Sequence, residues 1–164
     1  MFYLRIFFII YLVTFQVCAN SIPQFSFQDQ YENKIETKNL IGKPSILLGC
    51  EKEDIDLCRK IGRKIFWKLQ NLLWKDSSKV KFIAYLNLKE SNKLIEKYIS
   101  ESKEKQFESI YFDRKGELSL GLKSERVYLR IFNSKGNEIF NSHIEVITDE
   151  QILSIHQILK NEIK

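Results

Sequence analysis

Two rhythms of apolar residues run along this chain. Val80, Phe82, Ala84 and Leu86 fall on one side of a stretch in which Ile83 and Tyr85 fall on the other. Apolar residues on both sides predict a central strand, Val80 to Leu88, covered on both faces. Ile46 to Leu48 is a short apolar run between Pro44 and Gly49, without helical spacing, and predicts a second buried strand. The rhythm then changes. Ile55, Cys58, Ile61, Ile65, Leu69 and Leu72 recur at three- and four-residue steps, one face of a helix from Asp54 to about Lys75. Asp54 is its N-cap candidate, and Glu51, Glu53 and Asp54 suit the positive end of a helix dipole. One cysteine, Cys50, stands at the strand end; another, Cys58, stands one turn into the helix.

Elsewhere the pattern predicts shorter elements. Phe25-Ser26-Phe27 alternates as a strand, with Asn33 as a turn and Ile35 as a hairpin partner. Lys75-Asp76-Ser77-Ser78 breaks the first helix. A second helix is expected from Glu90 to about Lys103, with Leu94, Ile95, Tyr98 and Ile99 inward. Ser109 to Phe112 predicts a strand, and Glu117 to Leu122 a short helical turn closed by Gly121. Val127 to Phe132 and Glu138 to Phe140 flank the tight turn Asn133-Ser134-Lys135-Gly136. Thr148 and Gln151 form a capping box with Ile147 and Ile152 at staple spacing, so a last helix buries Ile152, Ile155, Ile158, Leu159 and Ile163. Strand, helix, strand, helix, strand, hairpin, helix demands a parallel pair with a right-handed crossover. An α/β class follows, with a mixed central sheet and helices on both faces.

The sequence has 164 residues, enough for one core, with no repeat or linker to divide it. Its formal charge of +5 comes from scattered lysines, which reads as a solvated surface and not as a nucleic-acid interface. Arg5, the apolar run Ile6 to Val13 and Val17-Cys18-Ala19 read as a secretory signal peptide, residues 1–19, cleaved after Ala19. Residues 20–164 then form a single exported domain, periplasmic or extracellular, with no membrane span after cleavage. An uncleaved anchor and a lipid on Cys18 are the other readings of this segment. Export leaves Cys50 and Cys58, an even number in a compartment where disulfides persist.

Leu40-Ile41-Gly42-Lys43-Pro44 before the central strand, Tyr111-Phe112-Asp113-Arg114-Lys115-Gly116-Glu117, and the hairpin Leu129 to Ile139 resemble the thioredoxin fold in its exported redoxin and peroxiredoxin-like branch. The opening Phe25 to Gln30 resembles that branch's first strand. The resemblance, over about residues 25 to 163, implies a three-layer sandwich and thiol chemistry at the start of the first helix. Thioredoxins carry Cys-x-x-Cys there; this sequence has roughly Glu53-Asp54-Ile55-Asp56. Peroxiredoxins carry threonine three residues before the reactive cysteine; here that residue is Leu47. The family's cis-proline falls near Val127, and no proline follows Pro44.

Three readings of Cys50 and Cys58 stay open. They form a redox-active dithiol with Cys50 the more exposed attacker and Cys58 resolving it. They form a static disulfide contributing about 2–3 kcal/mol. Or they remain unlinked structural thiols, with Cys58 a small core residue. The first makes the protein a thiol–disulfide oxidoreductase or peroxidase acting on thiols or disulfides of envelope proteins. The others leave a non-catalytic binding module. His143 and His156 form no zinc-spaced cluster, and no glycine-rich phosphate loop occurs, so neither metal nor cofactor is expected. Glu53, Asp54 and Asp56 read as a helix-capping group. Trp67 and Trp74 share a helix side, with core packing the expectation and an exposed partner stripe the alternative.

Overall fold

A computed structural model describes residues 20–91, 93–101 and 109–163. The segment read as a signal peptide, with Cys18, lies outside the described residues, as does the predicted end of the second helix. Strands β1 (Ser26–Asp29), β2 (Lys34–Glu36), β3 (Ser45–Glu51), β4 (Lys81–Asn87), β5 (Ile110–Asp113), β6 (Val127–Phe132) and β7 (Glu138–Ile144) form one sheet. The helices are α1 (Ile55–Leu73), α2 (Lys93–Glu101) and α3 (Asp149–Glu162). The seven strands lie in the order β2-β1-β5-β4-β3-β6-β7. Strand β3 is central, parallel to β4 from Ser45↔Lys81 to Glu51↔Asn87 and antiparallel to β6. Strands β4 and β5 are parallel; β1–β2 and β6–β7 are antiparallel hairpins. This is the mixed α/β sheet of the thioredoxin fold.

Two apolar clusters lie on its faces. One gathers Ile46, Leu48, Leu86 and Phe112 from the sheet with the inner residues of α1 and α3 and Ile99 of α2. The other gathers Phe25, Phe27, Leu47, Ile83, Tyr85 and Phe132 under Ile22, Leu40 and Leu118. Residues 83 and 85 thus face away from 84 and 86, as the alternation predicts. The α-helices all bury side chains in the first cluster. The second face is covered by the 3-10 helix Thr37–Asn39, whose C-cap is Leu40, and by loops.

Several local expectations shift. Burial along α1 steps by four through Ile61, Ile65, Leu69 and Leu73, so Leu72 is exposed and Leu73 takes the expected inner place. A four-residue ridge runs oblique to the helix axis, so the contact line drifts around the helix. Helix α2 exposes Leu94 and Tyr98 and buries Ile99; the stripe from Ile95 to Ile99 is the one that meets the core. The expected helical turn at Glu117–Leu122 is two successive turns, Ser119 N–H to Gly116 O and Leu122 N–H to Ser119 O. Gly116 and Gly121, at φ +72° and +90°, prevent the helix from propagating. The Asp113 carboxylate anchors these turns, accepting from Glu117 N at 2.8 Å and Leu118 N at 2.7 Å. The α3 capping box forms as expected: Thr148 N–H donates to Gln151 Oε1 at 2.9 Å, and Gln151 N–H to Thr148 Oγ1 at 3.3 Å. Ile147 and Ile152 are both buried beside it. Asp149, at the helix start, pairs with Lys64 and Lys68 of α1 and docks the two helices.

Candidate disulfide site

The site forms where the chain turns from β3 into α1. Strand alternation points Cys50 toward the helices and its neighbour Gly49 toward the opposite face. The chain leaves β3 through a 3-10 helix, Lys52–Asp54, and α1 starts at Ile55. Cys58 then lies in the first turn, on the buried stripe, and closes a disulfide with Cys50: S–S 1.99 Å, Cα–Cα 6.2 Å. The structure therefore joins the two cysteines that the sequence singled out, and the unlinked-thiol reading falls.

Access differs from expectation. Cys50 is fully buried (0% exposed) and Cys58 is 6% exposed. Cys50 is thus not the more exposed sulfur, because β3 lies mid-sheet beneath α1. Cys58 lines a cavity of about 470 Å³ between α1 and strands β4 and β5, with Gly62, Phe66, Phe82, Ala84 and Leu86 among its walls.

The helix start also departs from the family pattern in a specific way. A Cys-x-x-Cys beginning at the first residue of α1 would occupy Ile55 and Cys58. Cys58 stands at the second place, and Ile55, buried, stands at the first. Asp54 does not cap the helix with its side chain. Its Oδ2 instead accepts from Glu125 N at 2.9 Å, tying the segment before β6 to the helix start. Glu125 has φ +61°, and no cis peptide occurs among the described residues. Glu51 accepts from Asn87 Nδ2 at 2.9 Å. Among the described residues no group of three or more His, Cys, Asp or Glu side chains could hold a metal ion.

Behind the disulfide, on the other face, lies a network that the sequence reading missed. The Tyr85 ring covers Gly49, where an added Cβ would lie 2.2 Å from Tyr85 Cζ. The Tyr85 hydroxyl donates to Leu118 O at 3.1 Å and accepts from Arg130 Nη2 at 2.9 Å. Burial pushes the Tyr85 phenol up to about 12, against the opposing pull of the Arg130 guanidinium. Arg130 is 5% exposed, stacks near the Tyr128 and Phe132 rings, and leaves Nε without a partner. Two sequence signals pointed here: a glycine inside an apolar strand, which marks close approach, and an arginine within Val127–Phe132. His143 stacks on Tyr128 at 4.5 Å, and its Nε2 donates to Gly121 O at 2.6 Å. His156 is partly buried on α3. Trp67 and Trp74 are 61% and 73% exposed, so core packing is not their role.

Neither protein-family models nor curated proteins match this sequence. Solved structures do. An exposed lipoprotein thioredoxin of Streptococcus pneumoniae superposes with TM-score 0.60 at 12% identity, over 84% of this chain and 98% of that one. A thiol:disulfide interchange protein of the thioredoxin family from Chlorobium tepidum gives 0.59 at 12%, over 89% and 97%. Yeast Sco1 gives 0.58 at 16%, over 88% and 97%. At these identities the likeness is one of fold. No helix among the described residues is long and apolar enough to cross a membrane.

Proposed function

We propose that this chain is a thiol–disulfide oxidoreductase of the thioredoxin fold, and that partners reach its disulfide through Cys58. The observation that carries this reading is placement. A single disulfide joins the end of the central strand to the first turn of α1, with Cys58 on a cavity and Cys50 sealed. The structural neighbours named above include a thiol:disulfide interchange protein. In the exchange, a partner thiolate attacks Cys58 Sγ; the Cys58–Cys50 bond breaks and Cys50 leaves as a thiolate that takes up a proton. The partner's second thiol, on losing its proton, attacks the partner sulfur of the mixed disulfide and releases Cys58. The partner's dithiol is oxidised to a disulfide, and Cys50 and Cys58 are reduced to two thiols. The reverse sequence reduces a partner disulfide.

Charge acts on the site from both signs. Glu53, Asp54 and Asp56 at the helix start disfavour a thiolate, whereas Arg59 and Arg63, which line the cavity at Cys58, favour one. Peroxide reduction fits less well, since it needs a thiolate open to a small oxidant and Cys50 is buried. A disulfide suits an exported protein, so residues 20–164 act as one domain in the periplasm or outside the cell once 1–19 are removed, on envelope proteins bearing thiols or disulfides. The second reading is a binding scaffold stapled by a static disulfide; Ile55 at the place of an attacking cysteine favours it.

Equilibration in glutathione and dithiothreitol redox buffers, with alkylation and mass measurement, separates the two. The oxidoreductase reading expects a defined midpoint, turnover of a disulfide substrate, and a trapped mixed disulfide on Cys58 in Cys50→Ser. A disulfide intact well below about −300 mV, with no turnover, leaves the scaffold.

A further inference from the structure

We infer that the outer face of α1 is a docking surface for an anionic phospholipid bilayer. Arg59, Arg63 and Trp67 of this helix also line the cavity at Cys58, but the inference requires no turnover at Cys50–Cys58 and its test reads none. Within its nineteen residues α1 carries Arg59, Lys60, Arg63, Lys64 and Lys68 against one acid, Asp56. The formal charge of the whole sequence is +5, so the excess that looks scattered along the chain is gathered on one helix. Lys60, Lys64, Trp67 and Asn71 follow one another at helical spacing, and all four are exposed. Asp149 engages Lys64 and Lys68 together, one carboxylate for two ammonium groups. Lys75, just beyond the helix, is also exposed.

The indoles supply the second half of the match. Trp67 is 61% exposed, and Trp74, which follows the last helical residue, is 73% exposed. Trp74 also has φ +49°, a positive value that residues other than glycine rarely adopt. A tryptophan there loses twice, through backbone strain and through an apolar ring left in water. The Trp74 N–H still donates to Gln70 O, a backbone bond that any residue type except proline could make and that gives no reason for an indole there; strained backbone clusters at functional positions. Leu72 is exposed beside it.

Tryptophans with lysines are the combination that settles at a bilayer surface, the rings at the headgroup boundary and the ammonium groups among phosphates. The inner stripe of α1 is committed to the protein core, so the helix lies along the surface and does not insert. Flexible lysine stems around indoles fit a fluid anionic surface better than the fixed carboxylates of an acidic protein, which the test below treats separately.

Trp67 and Trp74 are the only tryptophans in the sequence, so indole emission of the full chain reports this surface alone, whatever residues 1–19 do. The probe is vesicles of phosphatidylcholine with and without phosphatidylglycerol. The expected result is a blue shift and protection from acrylamide with anionic vesicles, both lost in high salt as screening shortens. Lys60→Glu combined with Lys75→Glu weakens binding by about tenfold or more, with unchanged far-UV circular dichroism. Three results overturn the inference. One is emission unmoved by anionic vesicles. Another is an equal shift with neutral vesicles that the lysine variants do not weaken. The third is a shift produced by polyglutamate and not by vesicles, which assigns the face to an acidic protein.

Discussion

The two faces of the sheet are held by different physics, and β3 is where they meet. The helix face is apolar and mostly aliphatic, packed by α1 and α3, tied by the Cys50–Cys58 bond and hollowed by the cavity at Cys58. The opposite face has no α-helix among its buried residues and is organised by polar anchors. Asp113 holds the turns that carry Leu118, and Thr37 donates to Pro23 O and accepts from Phe25 N. Tyr85 then links Leu118 to Arg130. Adjacent residues of one strand serve both faces: Gly49 gives room to the Tyr85 ring, and Cys50 bonds to the helix. A helix can satisfy its own backbone and offer only a side-chain stripe. A layer of turns cannot, so its N–H groups need carboxylates, hydroxyls and carbonyls from the body of the protein.

Gly49→Ala is the sharpest way to break this arrangement. The added methyl would lie 2.2 Å from Tyr85 Cζ, and the ring is buried and hydrogen-bonded, so it cannot swing away. A loss of about 3 kcal/mol is expected in chemical denaturation, with the Tyr85 anchor displaced. Next comes reduction of the disulfide. Its separation of 8 residues makes a small loop, worth about 2.5 kcal/mol of denatured-state entropy. Dithiothreitol should lower the unfolding midpoint of the wild type accordingly, and leave the Cys50→Ala, Cys58→Ala double variant unmoved. If reduction costs more than Gly49→Ala, the helix face and not the aromatic seat governs the strand.

Tyr85→Phe should cost about 1–2 kcal/mol, since Leu118 O and Arg130 both lose their partner in a buried setting. The phenol itself supplies an alkaline test. Its value is raised from 10.0 to about 12, so the folded state favours the neutral form. The stability this provides is complete below pH 10 and is lost as pH rises from 10 toward 12. Burial also raises Tyr111 and Tyr128, so spectrophotometric titration should show more than one late-ionising tyrosine, with the latest absent in Tyr85→Phe and unfolding as it ionises.

The smallest effects separate two carboxylates in acid. Burial pushes the Asp29 carboxyl up, but hydrogen bonds from Asn33, Ser109 and Tyr31 together bring it below the ordinary 3.8. Hydrogen bonds from Lys68 and Lys64 hold Asp149 low. Both therefore stabilise the protein above about pH 4 and lose that contribution as pH falls. Asp149 is exposed and its partners are ammonium groups, so concentrated salt should erase the acid-midpoint difference between wild type and Asp149→Asn. The corresponding difference for Asp29→Asn should survive salt, because its partners are mostly neutral amides.

What could be read from the sequence was whatever depends on the chain's immediate neighbours. The period-two run at β4, the three- and four-residue steps of α1 and the Thr148–Gln151 capping box are local signals, and each produced its element. Element order then fixed a parallel β3–β4 pair, because a strand–helix–strand unit demands a parallel pair with a right-handed crossover. Leu72 and Leu94 were misplaced because burial at a helix end depends on the angle at which it crosses its neighbours. The roles of Gly49, Tyr85 and Arg130 depend on residues 33 to 45 positions apart in sequence, so no window along the chain contains them. The cysteines divide in the same way. Their positions at a strand end and a first helical turn were legible from spacing, whereas the bond between them and the burial of Cys50 required the sheet to close around β3. Periodicity travels with the chain, but access to a sulfur is decided by what packs over it from elsewhere.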